Sequence, residues 1–199
     1  MQLKTLPGRT KLIVVFTGFA LSAAFLFCFI QQRSNLPAEN AIALLKQEQL
    51  TSGLPVRLKI PEISMDAPLG PVGITSDGAM DKPKGPDDVV WYELGPRPGE
   101  NGSAVIAGHY GTWKNGKGSV FDNLHKLRPG DKLYVEDDKG AIISFVVRES
   151  RRYDPNTDAS DVFSSNDGKA HLNLITCEGV WNKVSKSYPK RLVVFTDKE

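Results

Sequence analysis

Thiols and imidazoles are scarce in this 199-residue chain, which has two cysteines and three histidines. Cys28 falls inside an uncharged apolar run, so Cys177 is the one thiol left to the rest of the sequence. It ends the stretch His171-Leu172-Asn173-Leu174-Ile175-Thr176-Cys177, whose apolar and β-branched residues predict a strand that Glu178-Gly179 breaks directly after the sulfur. A free cysteine within a strand is commonly a small core hydrophobe. At a strand end beside a turn the same thiol is presented at a sheet rim, where its thiolate can attack a carbonyl carbon.

Such chemistry needs a second group to hold the thiol proton, and imidazole suits that task near neutral pH. His171 shares the strand and face of Cys177, but at about 3.3 Å per residue it lies roughly 20 Å away. His125 sits between Leu124 and Lys126 and is expected on the exposed side of a short helix. His109 directly follows the small apolar run Ser103-Ala104-Val105-Ile106-Ala107-Gly108 and precedes Tyr110-Gly111, which predicts a ring held at a rigid rim and facing a loop-walled cleft. The same place would equally suit a rim histidine bonded to a carbonyl.

The elements that must position these groups follow from periodicity. Residues 54–60 alternate apolar and basic side chains, the pattern of a strand with one buried and one wet face, and Pro61 closes it. Residues 67–74 predict a second strand, 76–78 a turn, 83–88 a loop and 89–94 a single helical turn. Residues 120–127 predict a short helix with Phe121, Leu124 and Leu127 on one side. Residues 133–136 and 141–149 predict a hairpin turning through Asp137-Asp138-Lys139-Gly140. Residues 154–169 are expected to be a long polar loop, and the strands 171–177 and 191–196 flank a polar connection that holds Trp181 and Tyr188. Many short strands with turn signals predict an all-β sandwich or barrel with short helices.

Residues 12–30 carry no charge over 19 positions, close to the roughly 20 that span a bilayer core as a helix. Lys4, Arg9 and Lys11 precede the run, so the expected order is a cytoplasmic N-terminus at 1–11, a transmembrane signal anchor at 12–30, an extracellular stalk at 31–53 and a catalytic domain at 54–199. The bulky Phe25-Leu26-Phe27-Cys28-Phe29-Ile30 does not look like the small-residue site of a cleaved signal peptide. The chain is thus expected at the cell membrane as a single-pass protein with its domain outside. There Cys177 has no partner with which to form a disulfide.

Composition excludes other classes. The 25 basic and 23 acidic residues are spread along the chain, so no nucleic-acid footprint is visible. Without a His-x-His or Cys-x-x-Cys pairing, neither a structural zinc site, a metal-dependent mechanism nor a cofactor is expected.

Three separated stretches resemble the sortases, cysteine transpeptidases of the Gram-positive cell envelope. Leu174-Ile175-Thr176-Cys177 is similar to the family's Thr-Leu-x-Thr-Cys signature, Ala107-Gly108-His109 to the strand end bearing its histidine, and Arg191-Leu192-Val193-Val194 to the strand bearing its arginine. Residues 55–61 and Trp91-Tyr92-x-x-Gly95-Pro96-Arg97-Pro98-Gly99 resemble the class F branch. The resemblance implies a closed barrel of about eight strands, with Cys177, His109 and Arg191 catalytic and Thr176 in support of substrate or oxyanion. It implies as partners a Leu-Pro-x-Thr-Gly-like sorting-signal peptide of secreted proteins and an amine of peptidoglycan or of another protein. Arg191 would favour the thiolate and the adjacent Glu178 oppose it.

Two departures carry expectations of their own. Asn173 stands where the signature begins with threonine, which should alter packing more than chemistry, and Pro189 should reshape one wall of the cleft. The stalk has no Asp-Pro-aromatic lid and the C-terminus no second hydrophobic span, which argues against the pilin-polymerising branch. The alternatives are a cysteine hydrolase, an L,D-type cell-wall transpeptidase, whose Ser-His-Gly-Cys context is missing, and a non-catalytic membrane-tethered β-domain.

Overall fold

Alternation of side chains along short strands lets one face of each fill a common interior. In the computed structural model, which describes residues 53–113 and 116–199, eight such strands close into a barrel. They are β1 (Pro55–Ile60), β2 (Met65–Val72), β3 (Val89–Tyr92), β4 (Gly102–Gly108), β5 (Lys132–Asp137), β6 (Ile142–Tyr153), β7 (Ala170–Glu178) and β8 (Lys190–Lys198). Their order around the barrel is β1-β2-β3-β4-β7-β8-β6-β5. Closure pairs every strand on both sides, so no edge is left to template association. Most neighbours are antiparallel, but β2 runs parallel to β3 and β4 parallel to β7.

The interior is built from Leu58, Ile60, Ala104, Ile106, Leu133, Phe145, Leu172, Leu174 and Val194, all fully or almost fully buried. Each of these side chains larger than alanine contributes about 1.5–3 kcal/mol relative to exposure. A smaller cluster covers the outside of the β4-β7-β8 wall, where Val105, Val193 and Phe195 meet Val162. Odd-numbered positions of these three strands therefore face outward and even-numbered positions inward. That parity decides the orientation of Thr176, Cys177 and Arg191.

Several expectations are corrected. Residues 89–94 form no helical turn; Val89–Tyr92 is a strand between β2 and β4, and its residues show no alternation because Val89, Val90 and Trp91 are buried on both faces. The polar stretch 154–169 is not all loop, since it holds the short helix α1 (Ser160–Phe163), whose Val162 is fully buried. Residues 120–127 bury Phe121, Leu124 and Leu127 as expected, but through successive turns and a 3-10 turn at Leu124–Lys126. The hairpin at 137–140 forms, and its turn is held by Asp137, whose carboxylate accepts from the N–H groups of Gly53, Lys139 and Ala141.

The predicted anchor at 12–30 and the segments around it, 1–11 and 31–52, lie outside the described residues. No helix among the described residues is long and apolar enough to cross a membrane.

Candidate active site

Cys177 lies near the end of β7 directly opposite Arg191 at the start of β8. Both are odd-numbered, so both project from the outer face of the barrel. The parallel register of β4 on β7 ends with Ala107 beside Ile175, and His109 directly follows β4 at the same end of the barrel as Cys177. Thr176, of the opposite parity, is buried and donates from Oγ1 to the Gly108 carbonyl at 2.8 Å, which ties the two strand ends together one residue before each candidate group. Its hydroxyl therefore faces the barrel interior.

His109, Cys177 and Arg191 line one cleft of about 1490 Å³, whose walls include Tyr110, Trp113, Trp181 and Tyr188. Gly108 is required there by space, because a Cβ on it would meet the Phe121 ring at 2.5 Å. The same Phe121 donates its backbone N–H to the His109 carbonyl at 3.0 Å and so fixes the base of the imidazole. Beyond it the loop is braced by Asp122, which accepts from the backbone of Gly111 and Ser119.

The His109 Nε2 bonds the Pro83 carbonyl at 2.8 Å. A carbonyl only accepts, so Nε2 carries a proton and Nδ1 is the ring nitrogen free to exchange one. The Trp113 ring lies 5.0 Å from the imidazole and covers one side of it. The two sequence-level readings of His109, a carbonyl-bonded rim residue and a cleft residue, thus describe the same side chain.

Burial pushes the Cys177 thiol up, and the Arg191 guanidinium works against that rise. Arg191 is itself steered by its own turn, where Nη1 donates to the carbonyls of Tyr188 and Lys190 at 3.3 and 3.1 Å. Glu178, expected to oppose the thiolate, is engaged elsewhere: Arg152 Nε and Nη2 hold its two oxygens at 2.7 and 2.9 Å.

The other histidines stand apart from the cleft. His125 is exposed and bonds the Asp122 carbonyl. His171 is buried between Asp197, 2.7 Å from Nδ1, and Asp167, 3.0 Å from Nε2. Asn173 donates from Nδ2 to the Val162 carbonyl at 2.7 Å, so this departure from the signature seats α1 on the barrel wall. Pro189 packs against Gly179, where an added Cβ would lie 2.7 Å from its Cγ. Sequence reasoning overlooked Pro83, Tyr110, Trp113, Trp181 and Tyr188 as cleft residues. The available signal was the aromatics close to the two stretches, Tyr110 and Trp113 after His109 and Tyr188 before Arg191; Pro83 and Trp181 lie too far along the chain for it.

A family model described as a sortase domain matches residues 58–199, well over half the chain. Among curated proteins none matches this sequence. The structure is similar to sortase C-1 from Actinomyces oris, at 25% identity over 73% of this chain and 72% of that one, with a TM-score of 0.56. It is also similar to a lid mutant of Streptococcus agalactiae sortase C1, at 25% identity over 72% and 68% with a TM-score of 0.55. Sortase C from Clostridium perfringens SM101, 21% identical over 72% and 68% with a TM-score of 0.52, shares the fold. The eight-stranded closed barrel, the thiol at the end of β7 and the matched residues make one statement, that this chain belongs to the sortase family of cysteine transpeptidases.

Proposed function

We propose that this sortase cleaves a Leu-Pro-x-Thr-Gly-like sorting signal through a thioester on Cys177 and passes the acyl group to an amine of the cell envelope, working at the outer membrane surface from the uncharged anchor at 12–30. The observation that carries the reading is that Cys177, the facing Arg191 and His109, at the end of β4, line one cleft. Cys177, as thiolate, attacks the scissile carbonyl. The imidazolium of His109 gives the Nδ1 proton to the departing amine, and the neutral ring then takes one from the incoming amine. Arg191 donates to the oxyanion that forms between these steps, a contribution commonly of about 3–4 kcal/mol. Thr176 supports the site by holding the end of β4 against β7. Water in place of the amine gives hydrolysis.

Assignment to the class F branch is supported by the 55–61 stretch and by the Trp91–Gly99 motif, whose Trp91 indole donates to the Pro96 carbonyl at 3.2 Å and shapes that turn. A second reading, pilin polymerisation, is favoured by the likeness to C-type sortases. Against it stands the absence of an Asp-Pro-aromatic sequence at residues 31–53. The amine separates the two: a peptidoglycan-type amine for the first, a lysine side chain of a second protein for the other.

The test is capture of the thioester by mass spectrometry after mixing the full chain with a Leu-Pro-x-Thr-Gly peptide, followed by release with hydroxylamine. Cys177→Ala should form no adduct at unchanged fold. His109→Ala should lose at least about a hundredfold in rate, whereas His125→Ala and His171→Ala should retain it. Equal losses at all three histidines would remove His109 from the mechanism.

A further inference from the structure

Tyr188 touches both halves of the site. Its hydroxyl donates to the Tyr110 carbonyl, one residue past His109, at 3.2 Å. Its own carbonyl accepts from Arg191 Nη1 at 3.3 Å. Its ring meets Tyr110 edge-on at 5.4 Å and Trp181 at 5.0 Å. Two glycines make room for this arrangement. Gly111 has a φ of +89°, and a Cβ there would overlap the Tyr188 hydroxyl; Gly179 leaves the space that the Pro189 ring fills. Pro189 in turn restricts the backbone directly after Tyr188.

We propose that Tyr188 is a positioning residue that sets the separation between the loop carrying His109 and the strand end carrying Arg191, and thereby how well both groups support Cys177; this rests on the transpeptidase reading of the site. The side chain is pinned on one wall of the cleft, so the backbone carbonyl that steers Arg191 is pinned with it. The connection between β7 and β8 would otherwise be held mainly by the bridge between Asn182 and Ser187, farther out along the same arm. Burial raises the Tyr188 phenol and the neighbouring charge of a Cys177 thiolate raises it further, so the hydroxyl stays protonated and keeps donating when the thiolate forms.

The experiment compares wild type, Tyr188→Phe and Tyr188→Ala as full chains in detergent. Cleavage of a dye-labelled Leu-Pro-x-Thr-Gly peptide is measured with hydroxylamine as the amine, and Cys177 alkylation by iodoacetamide is measured across pH. Tyr188→Phe keeps the rings and the main chain but loses the bond to Tyr110. It should lower kcat about tenfold with KM nearly unchanged, move the alkylation midpoint to higher pH, and leave Tm close to wild type. Tyr188→Ala should exceed it on both rate and midpoint. Wild-type kcat and midpoint in Tyr188→Phe would overturn the proposal, as would losses in Tyr188→Ala that merely follow a fall in Tm. If wild type leaves the peptide intact while iodoacetamide labels Cys177, the substrate reading fails, and the midpoints of the variants still decide the role of Tyr188.

Discussion

The sulfur of Cys177 is half-buried with a guanidinium across the ladder, and the one carboxylate beside it in sequence is turned to Arg152. Burial disfavours the thiolate and raises the thiol above its ordinary value, while Arg191 lowers it. The sign of a test follows directly: removing the guanidinium leaves only the raising effect. Arg191→Ala should therefore shift the midpoint of Cys177 alkylation to higher pH and slow alkylation at pH 7, with the curves converging in alkali. Arg191→Lys keeps the charge and should hold the midpoint near wild type, yet lose most peptide turnover because the planar fork is gone. Iodoacetamide rates from about pH 6 to 10, a range spanning the unperturbed thiol value, provide the measurement, and an unmoved midpoint in Arg191→Ala would break the link. At this scale the thiol and the histidine that shares its cleft were legible from scarcity and strand position. Arg191 was not legible from its surroundings and came only through resemblance, because fourteen positions separate it from Cys177 and only the β7–β8 register brings them face to face.

Between strands, the contact that matters is Thr176 to Gly108. Oγ1 donates inside the barrel, where the Gly108 carbonyl has no water to fall back on. Thr176→Val keeps the shape but removes the donor, so it should cost about 1–3 kcal/mol in a urea melt and lower kcat by loosening His109. Thr176→Ser restores the hydroxyl and should recover most of both. Full activity in Thr176→Val would show that the β4 end is held adequately by Phe121 alone. The same scale explains which elements sequence missed. Val89–Tyr92 carries no period of two because both its faces are covered, and α1 is too short for a helical period, with Val162 its one buried residue. Pro55–Ile60 announced itself by alternating apolar and basic residues, although Val56, at the register shift between Pro55 and Arg57, is exposed.

For the whole molecule, closure of the barrel has an N-terminal limit. Gly53 N–H donates to the buried Asp137 at 2.9 Å, and Leu54 N–H to Asp138 at 2.9 Å. A chain beginning at residue 51 should stay in solution without detergent and cleave the peptide at close to the full-chain rate. One beginning at residue 55 should melt at lower temperature, because Asp137 loses a donor while staying buried. Calorimetry and peptide turnover on both truncations check this, and inactivity of the longer one at intact fold would mean that residues 1–50 complete the site. The sequence by itself determined what depends on neighbours along the chain: the strands with alternating faces and their turns, the one thiol outside the apolar N-terminal run, and the histidine that follows a small apolar strand. Only the tertiary structure decided the parallel pairings of β2 with β3 and β4 with β7, the facing of Cys177 and Arg191, and the aromatic walls. Those contacts join residues 14 positions apart for Cys177 and Arg191, 20 for Leu69 and Val89, and 68 for Gly102 and Ala170. They exist because the barrel closes, and no local periodicity encodes which strands meet when it does.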